Sequence, residues 1–325
     1  MRRKFHFIEF ESTPNPALHF TLPIRSPVMK MADSDDSILQ YKKRINWFPG
    51  HMPKALGKIK KKIGKVDLVL EVRDARVALS SGNRNLQKLL GNKPRLVVLN
   101  KSNLADPENM ALWKTWFWSQ DQPFLYINSF DQRSLKQVTT KAKNLMEKKW
   151  ETYRKKGIRP PPLRLMLLGI PNTGKSTIIN RLAKRNAART GDRPGVTQSQ
   201  EWIVLDKDLE LLDTPGIMPP KIDTYRQGLW LCAIHAIRDE IVGKERVAEF
   251  VVNFLQGKNW EEPLRKYPIE STDGEPSEII CRIGRSLKNI KKGDRVDYAK
   301  TCGQILHDFR KGLLGRHSFE SPPSR

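Results

Sequence analysis

Residues 169–176 read Gly-Ile-Pro-Asn-Thr-Gly-Lys-Ser, a full match to G-x-x-x-x-G-K-[ST]. An apolar run, residues 163–168, precedes the segment and a helical pattern, 176–187, follows it. Strand, glycine turn and helix therefore come in the order that a phosphate-cradling loop requires. Gly169 and Gly174 let consecutive backbone N–H groups turn toward phosphate oxygens, and the helix adds its positive N-terminal end. The expected phosphate contacts are Asn172, Thr173, Gly174, Lys175, Ser176 and Thr177. Lys175 should reach the β- and γ-phosphates, and the Ser176 hydroxyl should bind Mg²⁺.

Apolar runs at 66–72, 95–99, 124–127, 163–168, 202–205 and 209–212 alternate with helical patterns. That alternation predicts an α/β fold with a mostly parallel, doubly wound sheet. The polar motifs leave the ends of these strands, where such folds place ligands. Pro160, Pro161 and Pro162 cannot continue a helix and read as the connector into the phosphate-loop strand. Trp113, Trp116, Phe117 and Trp118 could offer a base-stacking platform, but helical packing against the sheet is the favoured reading. Beyond residue 220 strand signals fade and helical periodicity takes over at 229–242, 247–255 and 298–314. The expected domains are a disordered tail at 1–44, a nucleotide-binding domain at 45–220 and a smaller, mainly helical domain at 221–325.

Two further loops bear on nucleotide chemistry. Asp213 ends an apolar run and begins Asp-Thr-Pro-Gly; its carboxylate suits water-mediated contact with Mg²⁺, and the Gly216 N–H suits the γ-phosphate. Thr197 lies between the phosphate loop and Asp213, where the other metal-sensing switch of a GTPase belongs. Asn100-Lys101-Ser102-Asn103 is like the base-reading element of GTPases, with the Lys101 stem lying along the base and Asn128-Ser129 offering backbone N–H to the base carbonyl. In GTPases that element normally follows the phosphate loop. Here it precedes it, so the switch loops directly adjoin the helical region.

The 325-residue chain carries a net charge of +24 and a pI of about 10.0. Excess positive charge on this scale points to a polyanion partner, of which nucleic acid is the commonest. No apolar run approaches the roughly 18 residues needed to span a bilayer. Residues 54–65 pattern as a basic amphipathic helix, either a solvated face or a phosphate-backbone contact. The three cysteines, Cys232, Cys281 and Cys302, lack C-x-x-C spacing and predict reduced thiols rather than a disulfide or zinc framework. Residues 1–44 mix Arg2, Arg3 and Lys4 with Glu9, Glu11 and several prolines, a poor transit peptide. That favours a bacterial cytoplasmic setting over the mitochondrial matrix. The start residue is open among Met1, Met29 and Met31.

Together these residues resemble the circularly permuted GTPases of ribosome assembly, of the ribosome biogenesis GTPase A type with mitochondrial relatives. The likeness runs from about Asn46 to Glu320. It includes Trp-Phe-Pro-Gly-His-Met at 47–52, Asp-Ala-Arg at 74–76, Thr-Gly-Asp-Arg-Pro-Gly-Val-Thr at 190–197 and Phe-Arg-Lys-Gly-Leu-Leu-Gly-Arg at 309–316. The resemblance implies a GTP- and GDP-binding hydrolase that acts late in large-subunit maturation, with a helical domain that binds rRNA of the precursor. Ile217 stands where other GTPases orient water, and the resemblance implies His51 as the replacement, with Asn172 as a ligand for K⁺. A monomer is the expected state.

The chain departs from the pattern at Asn103, where the family carries Asp. A carboxylate accepts two guanine hydrogens, whereas an amide offers one acceptor oxygen beside donors. Losing one buried pairing costs ~1–3 kcal/mol, so weaker or less selective GTP binding is expected. The alternative reading, supported by Asn103 and Ile217, is a nucleotide-gated RNA-binding module with little hydrolysis or relaxed base choice.

Overall fold

A computed structural model describes residues 57, 59–83, 86–187, 202–212, 222, 224–257 and 266–323. All belong to one compact unit, Lys43–Arg325.

Among the described residues six strands form one sheet: β1 Leu68–Asp74, β2 Arg95–Asn100, β3 Phe124–Tyr126, β4 Leu163–Leu168, β5 Trp202–Asp206 and β6 Leu209–Leu212. Their order is β3-β2-β1-β4-β6-β5, parallel except for the β5–β6 pair. All seven residues of β1 are buried. A central parallel strand is covered on both faces, which explains its near-continuous apolar run. Alternate side chains still divide between the faces. Leu68, Leu70 and Val72 join Leu165, Leu167, Leu135, Val138 and Ile178. Val69 joins Met166, Leu168, Leu86 and Ile59 on the other side.

Helices α1 Leu86–Leu90, α2 Pro107–Ser119, α3 Gln132–Lys155 and α4 Lys175–Ala187 flank the sheet. Asp106 caps α2 by accepting from the Glu108 and Asn109 N–H groups, with Pro107 in the first turn. Trp113 and Phe117, one turn apart, are buried against Val97 and Leu99 of β2. Packing, not base stacking, uses these rings. Trp118 is exposed, with the Lys114 ammonium 4.6 Å from its ring centre. Asp131 caps α3, whose Leu135, Val138, Ala142 and Met146 keep one face inward over a length of about 36 Å. The stiff connector into β4 therefore begins only after Lys155. Lys60 and Lys61 are exposed beside the buried Ile59.

The chain runs β1 to β2 to β3 in one direction, then α3 carries it back so that β4 pairs with the opposite edge of β1. A topological switch point thus falls between β1 and β4, at whose carboxyl ends a ligand crevice is expected.

The helical region contains α5 Tyr225–Ala233, α6 Lys244–Gln256, α7 Pro276–Ser286 and α8 Tyr298–Lys311, with a small hairpin of β7 Ile290–Lys291 and β8 Arg295–Val296. Gly284 admits the hairpin at close range, since a Cβ there would lie 2.3 Å from Val296 Cγ1. The common core of these helices also takes in Val77 and Ile170, which follow β1 and β4. The helical region is therefore seated on the carboxyl end of the sheet. Two expected helices are shorter than their apolar pattern. The pattern at 229–242 breaks at His235 (φ 63°), where Ala236 N donates back to Leu231 O at 2.7 Å. The one at 298–314 stops at Gly312 (φ 75°), with Leu313 N donating to Asp308 O at 2.9 Å, a Schellman ending.

After Gly312 the chain turns back over the sheet. Residues 316–320 lie along the loops that follow β1 and β2. Phe319 N donates to Arg76 O at 2.9 Å, and Trp113 Nε1 to Glu320 O at 3.1 Å.

Candidate functional site

A cavity of about 500 Å³ opens at the switch point. Its lining brings together Asn100, Lys101, Asn103, Asn128, Ser129, Asn172, Gly174, Lys175, Ser176 and Thr177. Thr173 is fully buried within the same loop. Ser102 begins the 3-10 turn Ser102–Leu104 that carries Asn103. His51, Thr197, Asp213 and Gly216 lie outside the described residues; β6 ends at Leu212, one residue before Asp213.

Two glycines shape the phosphate side. A Cβ on Gly169 would fall 2.2 Å from Val72 O, and one on Gly174 (φ 98°) would fall 2.2 Å from Asn100 Nδ2. Both positions need the bare backbone. Lys175 is 8% exposed and donates to Ile170 O at 2.6 Å. Burial pushes the pKa of its ammonium down to about 8. Among the described residues the cavity lining holds no carboxylate, while Arg76, Lys101, Lys175, Arg310 and Lys311 all reach it. A buried cation in a glycine cradle, with further positive charge around it, suits a polyphosphate.

Asn100 joins the two sides. Its Nδ2 donates to Thr173 O at 2.8 Å and its Oδ1 accepts from Ser129 N at 3.0 Å. One amide therefore fastens the phosphate loop and the Asn128-Ser129 loop to the end of β2. Lys101, in the left-handed region at φ 59°, sends its Nζ to Asn172 O at 2.7 Å and to Asp74 Oδ2 at 3.1 Å. Burial opposes the Asp74 charge, but Arg76 and Lys101 outweigh it and hold that carboxyl well below the usual range. Arg76 grips Asp74 through Nε at 2.9 Å and Nη2 at 2.8 Å, while its Nη1 is buried with no hydrogen-bond partner among the described residues. Asn103 is exposed. Asp106, the nearest acid after it, is committed to capping α2 and does not line the cavity.

Sequence reasoning did not assign the wall that comes from the helical region: Ile234, His235, Arg310 and Lys311. Asn172 Nδ2 donates to His235 O at 2.6 Å, so the phosphate loop touches that wall directly. Arg310 holds the wall together, donating to Cys232 O at 2.9 Å, Ala233 O at 3.1 Å and Asp239 Oδ1 at 2.5 Å. The available signal is the motif at 309–316, which carries the resemblance without a role of its own. Cys232, Cys281 and Cys302 are free thiols. Among the described residues no helix is long and apolar enough to cross a membrane.

Comparison with known proteins decides the family. Ribosome biogenesis GTPase A of Bacillus pumilus is 41% identical over 281 residues, spanning 86% of this chain and 99% of the relative. The chain belongs to the ribosome biogenesis GTPase A family of circularly permuted P-loop GTPases. A family model described as 50S ribosome-binding GTPase matches residues 164–276. Mitochondrial ribosome-associated GTPase 1 of Mus musculus is 32% identical over 290 residues, covering 83% of this chain and 88% of the relative. The solved structure of GNP-bound YlqF from T. maritima superposes with a TM-score of 0.58 at 26% identity, over 82% of this chain and 98% of that one. The permuted GTPase core with its smaller helical C-terminal region matches that architecture.

Proposed function

We propose that this chain binds GTP, hydrolyses its β–γ phosphoanhydride, and acts in a late step of large ribosomal subunit assembly, holding precursor rRNA in a nucleotide-dependent way. The observation that carries the reading is the Asn100 side chain, which ties a base-reading turn to a phosphate loop across one cationic cavity. The names of the relatives and the net charge of +24 support a ribosomal RNA partner. The nucleotide portion is taken as 45–220 and the RNA-binding portion as 221–325; residues 1–44, expected as a tail, lie outside the described residues. The higher identity to the bacterial than to the mitochondrial relative supports a cytoplasmic setting.

Ser176, in the first turn of α4, suits Mg²⁺, with Thr197 and Asp213 as its further ligands. Bound there, the ion would neutralise charge developing on the phosphates. Lys175 holds the β- and γ-phosphates, and Lys101 lies along the base. Gly216 meets the γ-phosphate and senses its loss. His51 takes the water-orienting place that Ile217 cannot fill, since an imidazole can accept and donate a proton near neutral pH. Asn172 is the candidate ligand for K⁺.

Turnover measured with and without large subunits, for wild type and His51→Ala, tests the reading. Subunit-stimulated hydrolysis that is lost in His51→Ala is expected. Nucleotide-dependent co-sedimentation without turnover would favour the binding-module alternative that Asn103 and Ile217 suggest.

A further inference from the structure

The base-reading turn is held from outside. Arg316 Nε donates to Ala105 O at 2.9 Å and Arg316 Nη2 to Ser102 O at 3.1 Å. His317 N donates to Leu104 O at 3.0 Å. Ser318 Oγ accepts from Asp106 N at 3.2 Å. The residues on both sides of Asn103 are thus bonded to a segment 211 to 214 positions later in the chain. Lys101, which opens the turn, gives it no side-chain cap.

Both ends of that segment are anchored. The Glu320 carboxylate, 8% exposed, accepts from Ser80 N at 2.9 Å, from Ser80 Oγ at 2.6 Å and from the Leu79 N–H. At the other end the chain leaves α8 through Gly312, where a Cβ would lie 2.6 Å from Leu104 Cδ2. The segment is a strap whose middle donates to the turn that carries Asn103.

We infer that this strap positions the turn for guanine recognition, and that Arg316 is its positioning residue. The inference rests on the reading of the cavity as a guanine-nucleotide site. A guanidinium that bridges Ser102 O and Ala105 O fixes the curvature of the turn, and so the place of the Asn103 amide relative to the Lys101 stem. The strap also continues directly from α8, whose Arg310 and Lys311 line the cavity. Base recognition and the helical region are joined by one short piece of backbone.

Calorimetric titration of the full chain with GDP and, separately, with inorganic pyrophosphate tests this. Pyrophosphate engages the phosphate loop but not the turn. Arg316→Ala should weaken GDP by about tenfold, the scale of one or two charge-assisted hydrogen bonds, and leave pyrophosphate unchanged. Arg316→Lys, which keeps the charge and one donor, should recover part of the loss. Unchanged GDP affinity in Arg316→Ala, or equal loss of GDP and pyrophosphate, overturns the inference. Should Arg316→Ala fail to fold, Ser318→Ala, which removes the contact with Asp106 N, must show the same selective loss on a smaller scale, and its absence overturns the inference too. Wild-type protein that binds neither probe would instead refute the nucleotide-site reading itself.

Discussion

The two halves of the cavity are built in different ways. The phosphate half is local: Gly169, Gly174 and Lys175 lie within seven consecutive residues, and the strand, turn and helix that shape them are continuous in the chain. The half proposed to read the base is assembled at long range. Asn100 reaches Thr173, Lys101 reaches Asn172, and Arg316 reaches Ser102 and Ala105. A local site stands or falls with its own backbone, whereas an assembled one weakens in steps as its ties are cut.

Gly174→Ala should have the largest effect, because it strikes both halves. Its Cβ would meet Asn100 Nδ2 at 2.2 Å, at a backbone φ of 98°. Strain and overpacking of this kind cost about 1–3 kcal/mol or more, and GDP and pyrophosphate binding should both be lost, as read by calorimetry alongside a lowered Tm.

Asn100→Ala should come next. It leaves Ser129 N and Thr173 O, both in buried residues, without their partner. Each such loss costs about 1–3 kcal/mol. Denaturant unfolding should show that destabilisation, and GDP should weaken more than pyrophosphate. Equal weakening of the two would mean that the halves are not separable.

Raising the pH should weaken the phosphate half alone. Burial holds the pKa of the Lys175 ammonium at about 8 without nucleotide, and a bound phosphate favours its charged form and raises that value. Below pH 8 this group is protonated in both states and adds no pH dependence. Above pH 8 binding must take up a proton, so affinity should fall by up to about tenfold per pH unit. Pyrophosphate titrations in buffers of different ionisation enthalpy will show the uptake, and Lys175→Arg, which stays charged, should reduce it to the share that pyrophosphate's own ionisation contributes.

Asn103→Asp is the smallest change and touches only the base half. It should tighten GTP relative to XTP by roughly tenfold, about 1–3 kcal/mol for one restored pairing, in a competition assay. An unchanged ratio would show that Asn103 does not read the base.

Legibility in the sequence follows the same division. The β-runs and the helix after Lys175 are readable because their apolar spacing and glycines act on neighbours only. Asn100-Lys101 and Asn128-Ser129 are readable as loops at strand ends, but the amide that joins them is a tertiary fact. The break at His235 is hidden because Ile234, Ala236 and Ile237 remain buried through the turn and prolong the apolar pattern. The strap is hidden for another reason: it has no periodicity, and its backbone partners carry no trace in side-chain identity. Trp113 reads as packing, and its indole N–H proves to be tied to the strap at Glu320 O.

The central claim is that a phosphate loop and an upstream base-reading turn form one guanine-nucleotide site. Calorimetry of the full chain with GDP, ADP and pyrophosphate tests it most directly. The account predicts one GDP site per chain, bound more tightly than ADP, and a GDP–pyrophosphate difference that shrinks in Asn100→Ala. Equal affinity for GDP and ADP, or a difference untouched by Asn100→Ala, would contradict it.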